Sequence, residues 1–228
     1  MSNRPKRVDP TPARLQARQN SESESQRARW LIWAGLGVIL VIAIVIGVAV
    51  AQTNTSNDEG IATGFAETFG DPLPLYDGTG NAVGLAAPSM RAQSVQTAEV
   101  IDVDIDDGTV RAIGFFAHWC PHCQDEVPRV VDWLSSNELP DGVEVVAVST
   151  SVDEGAPNYP PAAWFDREDW PDPVLADSDE DTIANAYGLA GFPYWVLVAG
   201  DGTVIERRSG ELTEAEFTAM IDQAAASL

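Results

Sequence analysis

Ala112-Ile113-Gly114-Phe115-Phe116-Ala117-His118-Trp119-Cys120-Pro121-His122-Cys123 is the stretch that decides the fold. Its first half is an apolar run, part of a buried strand expected over 109–117. After Cys123, the residues Val127, Val130, Val131 and Leu134 recur at helical spacing and give one apolar face. Pro128 falls inside that helix and should kink it. The two thiols therefore sit where a strand turns into a helix. They are the only cysteines of the chain. A disulfide stabilises most by closing a long loop, and a pair two residues apart closes almost none. Redox chemistry or metal binding is the use that remains.

Downstream, Asp141-Gly142 reads as a turn and residues 143–150 as a second buried strand. The Pro-rich segment 151–173 should hold a short helix near 162–168, with Trp164, Phe165 and Trp170 packed on the sheet. Ser178-Asp179-Glu180-Asp181 opens another helix that ends at Gly188. Residues 193–199 and 203–208 form a hairpin about Gly200-Asp201-Gly202. Thr213-Glu214-Ala215-Glu216 is a capping box that opens the last helix. Upstream, residues 92–104 suggest one or two strands, and 65–88 an irregular lead-in. The order strand, helix, strand, helix, strand, hairpin strand, helix defines an α/β fold: a central mixed sheet with helices on both faces. Gly78-Thr79-Gly80 precedes no convincing helix and reads as a turn rather than a phosphate loop.

Residues 30–51 carry no charge, and about 22 residues at about 1.5 Å each span a bilayer core. Trp30 and Trp33 mark its interfacial end. Before Trp30 stand seven basic residues (Arg4, Lys6, Arg7, Arg14, Arg18, Arg27, Arg29) against three acidic ones (Asp9, Glu22, Glu24). The positive-inside rule puts this end in the cytoplasm. Ala49-Val50-Ala51 resembles a signal-peptidase site, but the apolar run exceeds the usual h-region. The organisation expected is a basic cytoplasmic tail (1–29), a retained transmembrane helix (30–51), a linker (52–64) and an extracytoplasmic domain (65–228). The part beyond residue 51 carries 6 basic and 32 acidic residues, a net of −26. That is a solvated surface. It excludes nucleic acid as a partner, since phosphate binding needs clustered Lys and Arg.

Cys120 is placed at the first turn of the helix, where free N–H groups and the dipole stabilise a thiolate. It is expected to be the attacking or attacked sulfur. Cys123, one turn on and less exposed, should resolve the mixed disulfide. His122 can offer positive charge or a hydrogen bond to the Cys120 thiolate, which would make the disulfide a better oxidant. His118 is a second contributor or an exposed loop residue. A different use is Cu(I) binding by a copper chaperone through Cys120, Cys123, His122 and His118, all soft ligands.

The segment 115–123 resembles the strand-to-motif signature of the thioredoxin superfamily, including Trp119 before the first cysteine. Pro128 matches the helix-kinking proline. Gly191-Phe192-Pro193 matches the loop whose proline is cis and faces the disulfide. Within the superfamily the chain is similar to membrane-anchored TlpA/ResA-like thiol–disulfide oxidoreductases, on residues 186–193, 201–204, Gly210 and Glu126. The resemblance implies a thioredoxin-like fold, a redox-active Cys120–Cys123 disulfide and no cofactor. It implies a substrate groove at Trp119, Phe192 and Pro193, with extracytoplasmic protein substrates that carry thiols or disulfides, and a membrane redox partner to reset the pair. It also implies proton handling by Glu126, which from the sequence alone is equally an exposed carboxylate of the first helical turn. Two departures stand out. The buried acid that many thioredoxins carry six residues before the first cysteine is Gly114 here. Pro-His between the cysteines is the dipeptide of DsbA-like oxidants, on a scaffold that suggests a reductase, so both directions of exchange stay open.

Overall fold

The computed structural model describes residues 60–171 and 173–228. The expected cytoplasmic tail, the expected transmembrane helix and the linker as far as residue 59 lie outside the described residues. Among the described residues, no helix is long and apolar enough to cross a membrane.

The elements run β1 (Ala66–Phe69), β2 (Ser89–Ser94), β3 (Val100–Val103), β4 (Val110–Phe116), α1 (Pro121–Ser136), β5 (Val143–Ser149), α2 (Pro161–Arg167), β6 (Val174–Ala176), α3 (Thr182–Ala186), β7 (Tyr194–Val198), β8 (Val204–Ser209) and α4 (Glu214–Ala225). The strands join in one mixed sheet, ordered β1-β2-β6-β5-β4-β7-β8, with β3 also paired to β2. β4, β5 and β6 are parallel, β7 runs antiparallel to β4, and β8 runs antiparallel to β7 and so in the same direction as β4. Every residue of β4 is buried, as a central strand covered on both faces must be. Its one charge, Arg111, is met by Asp107 at 2.7 Å and Glu144 at 3.0 Å.

Two apolar layers cover the sheet. One is built on α1, α2 and α4, through Val127, Val130, Trp133, Trp164, Phe165, Phe217 and Ile221. The other holds Ile113, Phe115, Leu175, Ile183, Tyr187 and Tyr194. The expected aromatic trio does pack on the sheet, with Phe116 at 6.3 Å from Phe165 and 5.7 Å from Trp170, between ring centroids. The capping box at Thr213 and Glu216 is formed in both directions.

Three local readings change. β1 is a strand within the lead-in read as irregular, and β6 is a strand just beyond the Pro-rich segment where none was expected, because three or four residues are too short to display a period. The helix expected from residue 178 begins at Thr182. Ser178–Asp181 forms a turn instead, and the buried Asp177 carboxylate takes the free N–H groups of Ile183 and Ala184 at 2.8 and 3.0 Å. The end of the expected linker touches the domain, with Ile61 N–H donating to the Val95 carbonyl at 2.7 Å.

One register pair positions everything that follows. Gly114 of β4 stands opposite Trp195 of β7. A Cβ at residue 114 would come within 2.8 Å of the Phe116 and Trp195 rings, both fully buried. Gly114→Ala is therefore expected to overpack this layer and destabilise the domain by about 1–3 kcal/mol. Denaturant midpoints of the two proteins check it.

Candidate active site

β4 delivers the chain to the thiol motif. Beyond Phe116 the backbone closes a turn, in which Cys120 N–H donates to the Ala117 carbonyl at 3.0 Å. Cys120 is the N-cap residue of α1, with extended backbone, and its carbonyl accepts from Gln124 N–H at 3.0 Å. Pro121 occupies the first helical position, where a missing N–H costs nothing. Both cysteines are free thiols. Cys120 is 6% exposed and Cys123 is wholly covered, so the first thiol is the one within reach of a partner. Burial, above all, pushes the Cys123 thiol far up from its ordinary value. Left alone, it would stay protonated and be a poor nucleophile.

Glu126 lies one turn beyond Cys123 on the same face of α1, and it is fully buried. The alternative of an exposed first-turn carboxylate is thereby corrected: α1 packs this face onto the sheet. The carboxylate accepts from the Trp195 indole N–H through Oε1 and from the Leu212 backbone N–H through Oε2. Burial raises its pKa to about 7, against the lowering effect of those two donors. Trp195 can cover this position because Gly114, opposite it, has no side chain. The place of the missing acid is thus occupied by aromatic rings, and the buried carboxylate is presented from the helix instead.

The two histidines are placed very differently. His118 is fully buried, which corrects the reading of it as an exposed loop residue. Its Nδ1 lies 2.7 Å from the Pro157 carbonyl, an acceptor, which assigns the proton to Nδ1. Nε2 then accepts from Asp153 N–H at 3.2 Å. His118 thus anchors the loop 151–160. His122 is exposed, and its Nδ1 lies 2.9 Å from Glu211 Oε2. Arg129 holds the other Glu211 oxygen at 2.5 Å and donates to the Leu212 carbonyl at 3.2 Å. The Cys/His set considered for copper is not assembled, because both rings are engaged elsewhere. Among the described residues, no three His, Cys, Asp or Glu side chains stand close enough to hold a metal.

Trp119 donates its indole N–H to the Ser151 carbonyl at 2.6 Å. Its ring meets Phe192 edge to face at 5.8 Å. This contact brings the Gly191–Pro193 loop beside the thiol motif. The Phe192–Pro193 peptide is cis, and the Pro193 carbonyl is held by Gly210 N–H at 2.8 Å. Trp195, Arg129, Glu211 and Leu212 were not singled out from the sequence. Their separations from Glu126 and His122 in the chain are too long for any local pattern to reveal, apart from that of Arg129, which reads as an ordinary surface residue of α1.

A mixed sheet flanked by helices, with a Cys-x-x-Cys pair opening the first long helix, is the thioredoxin-like arrangement. The AhpC/TSA family matches residues 83–207, and the chain belongs to that family. It is 27% identical over 150 residues to the thiol:disulfide interchange protein HelX of Rhodobacter capsulatus, covering 61% of this chain and 74% of that one. It is 24% identical over 133 residues to the thiol-disulfide oxidoreductase ResA of Halalkalibacterium halodurans, covering 58% and 69%. The fold is shared with a thiol:disulfide interchange protein of Chlorobium tepidum, at a TM-score of 0.53 and 20% identity, over 62% of this chain and 97% of that one. The chain is a thioredoxin-fold protein homologous to thiol–disulfide oxidoreductases, with its candidate redox pair at Cys120 and Cys123.

Removing the indole donor while keeping an aromatic ring tests the setting of the carboxylate. Trp195→Phe is expected to move the Glu126 pKa upward from about 7, since the hydrogen bond it removes favours the ionised form. Carboxyl-carbon NMR titration of Glu126 reads the shift.

Proposed function

We propose that this chain is a membrane-anchored thiol–disulfide oxidoreductase that exchanges disulfides with extracytoplasmic proteins through Cys120-Pro121-His122-Cys123. The observation that carries the reading is the pairing of a reachable thiol at a helix N-terminus with a buried thiol one turn on, beside a buried carboxylate whose pKa is about 7. The uncharged run 30–51, with its basic flank, supports the anchor and the orientation.

In the reductive direction the Cys120 thiolate attacks one sulfur of a substrate disulfide. A Cys120–substrate bond forms, and the other substrate sulfur leaves as a thiolate. Cys123 passes its proton to Glu126 and attacks Cys120 Sγ. The internal disulfide forms and the second substrate sulfur leaves. The substrate has gained two electrons, and a membrane redox partner returns the pair to the dithiol. Oxidation of a substrate is the same sequence reversed. Trp119, Phe192 and Pro193 flank the motif and suit an extended peptide laid across Cys120. His122 places an imidazole between the two cysteines in the chain. The exchange needs no cofactor.

The full-length chain should reduce insulin disulfides in the presence of a dithiol, and Cys120→Ser should abolish this. Cys123→Ser should accumulate a mixed disulfide that identifies the substrate. A wild type that leaves insulin oxidised, together with a Cys123→Ser variant that captures no mixed disulfide, would overturn the reading.

Glu126 gives the reaction a pH signature. Its ionised form accepts the Cys123 proton, so resolution of the mixed disulfide should accelerate as pH rises through about 7. Glu126→Gln should lose that step and resolve on the order of 10²-fold more slowly. Stopped-flow kinetics across the pH range measures both.

A further inference from the structure

A cation or donor that reaches the thiolate of such a pair stabilises the dithiol and makes the disulfide the stronger oxidant. His122, between the two cysteines, is the motif residue with that capacity. Its side chain is 66% exposed, so burial does not dictate where the ring lies. It lies against Glu211, with Nδ1 2.9 Å from Oε2. Glu211 is itself fixed. Arg129, two helical turns beyond His122 on α1, grips its second oxygen at 2.5 Å. The same guanidinium reaches the Leu212 carbonyl at 3.2 Å, and the Leu212 amide is bonded to Glu126. Arg129, and then His122, hold the Glu211 carboxyl below its usual range, so it is an anion near neutral pH.

We infer that Glu211 is a positioning residue that draws the His122 imidazole toward itself, keeping the Cys120–Cys123 couple more reducing than an unpaired imidazole would make it. The inference rests on the exchange chemistry proposed above and assigns it a direction. With its histidine engaged, the dithiol is a donor of electrons to substrate disulfides. Glu211 touches no reacting sulfur in this role. It acts through the ring it holds, and its place before α4 explains why the motif alone misstates the poise.

The test is the equilibrium of the full-length chain with glutathione near neutral pH, read by trapping thiols with a mass-tagged alkylating reagent. Glu211→Gln is expected to shift the constant toward the dithiol by about tenfold. Glu211→Asp, which keeps the charge but shortens the reach, should shift it the same way by less. In a His122→Ala background the effect of Glu211→Gln should fall within about twofold, because the double-mutant cycle isolates the pairwise term. An unchanged constant in Glu211→Gln would overturn the inference. So would a shift that persists without His122, since Glu211 would then act on the sulfurs directly. The measurement needs no protein substrate. A wild type that equilibrates with glutathione yet fails on insulin would sink the proposed function while leaving this inference to stand or fall on its own constants.

Discussion

A carboxylate taken out of water is tolerated only where donors replace the solvent it has lost. Glu126 occupies a position on α1 where the amphipathic stripe of Cys123, Val127, Val130 and Trp133 would lead one to expect an apolar residue. Its two donors come from different elements: the indole of Trp195 on β7 and the Leu212 amide ahead of α4. The buried acid therefore ties the thiol-bearing helix to the sheet and to the last helix at one point. Apolar packing alone would let α1 slide or roll with little preference for one register. Two charge-assisted hydrogen bonds have a direction and do not.

Much of this was legible in the sequence because its determinants are local. The strand into Phe116, the helix after Cys120, the hairpin about Gly200–Gly202 and the capping box at Thr213 each declare themselves within a few residues. The thiol pair is itself a local pattern, and so is the Gly191–Pro193 loop. What escaped depends on long separations. Trp195 reads as one more buried aromatic of a strand, and nothing about residue 195 announces a bond to residue 126, 69 positions away. Glu211 reads as one carboxylate among many in a strongly acidic domain. The fate of the histidines also depends on partners elsewhere. His118 is buried only because the loop carrying Asp153 and Pro157 folds over it. The short strands gain their pairing from their neighbours, β1 from β2 and β6 from β5 and β2, not from any periodicity of their own.

Charge makes the same point in another way. Beyond residue 51 the chain has six arginines and no lysine, against 32 acidic residues. With so few cations, the location of each is informative. Arg111 is spent inside the sheet on Asp107 and Glu144, where it holds Asp107 well below the ordinary carboxylate range. Arg129 stands on the helix of the thiols and faces Glu211. Its field also favours ionisation of Glu126, while that of Glu211 opposes it. The buried carboxylate of Glu126 and the imidazole of His122 are therefore both neighbours of the same Arg129–Glu211 pair.

The consecutive residues Glu211 and Leu212 make this coupling mechanical as well as electrostatic. One supplies the side chain that meets His122, and the next supplies the amide that meets Glu126. A displacement of this strap by an ångström would weaken both contacts together, since hydrogen bonds fade steeply with distance and angle. Its position is set by what comes directly after it. Thr213 caps α4, with its hydroxyl taking Glu216 N–H at 3.3 Å while the Glu216 carboxylate takes Thr213 N–H at 2.9 Å. α4 is in turn seated on the core by Phe217, Met220 and Ile221. A capping box is ordinarily a device for starting a helix. Here it also fixes the two residues that set the surroundings of the thiol pair from the far end of the sequence.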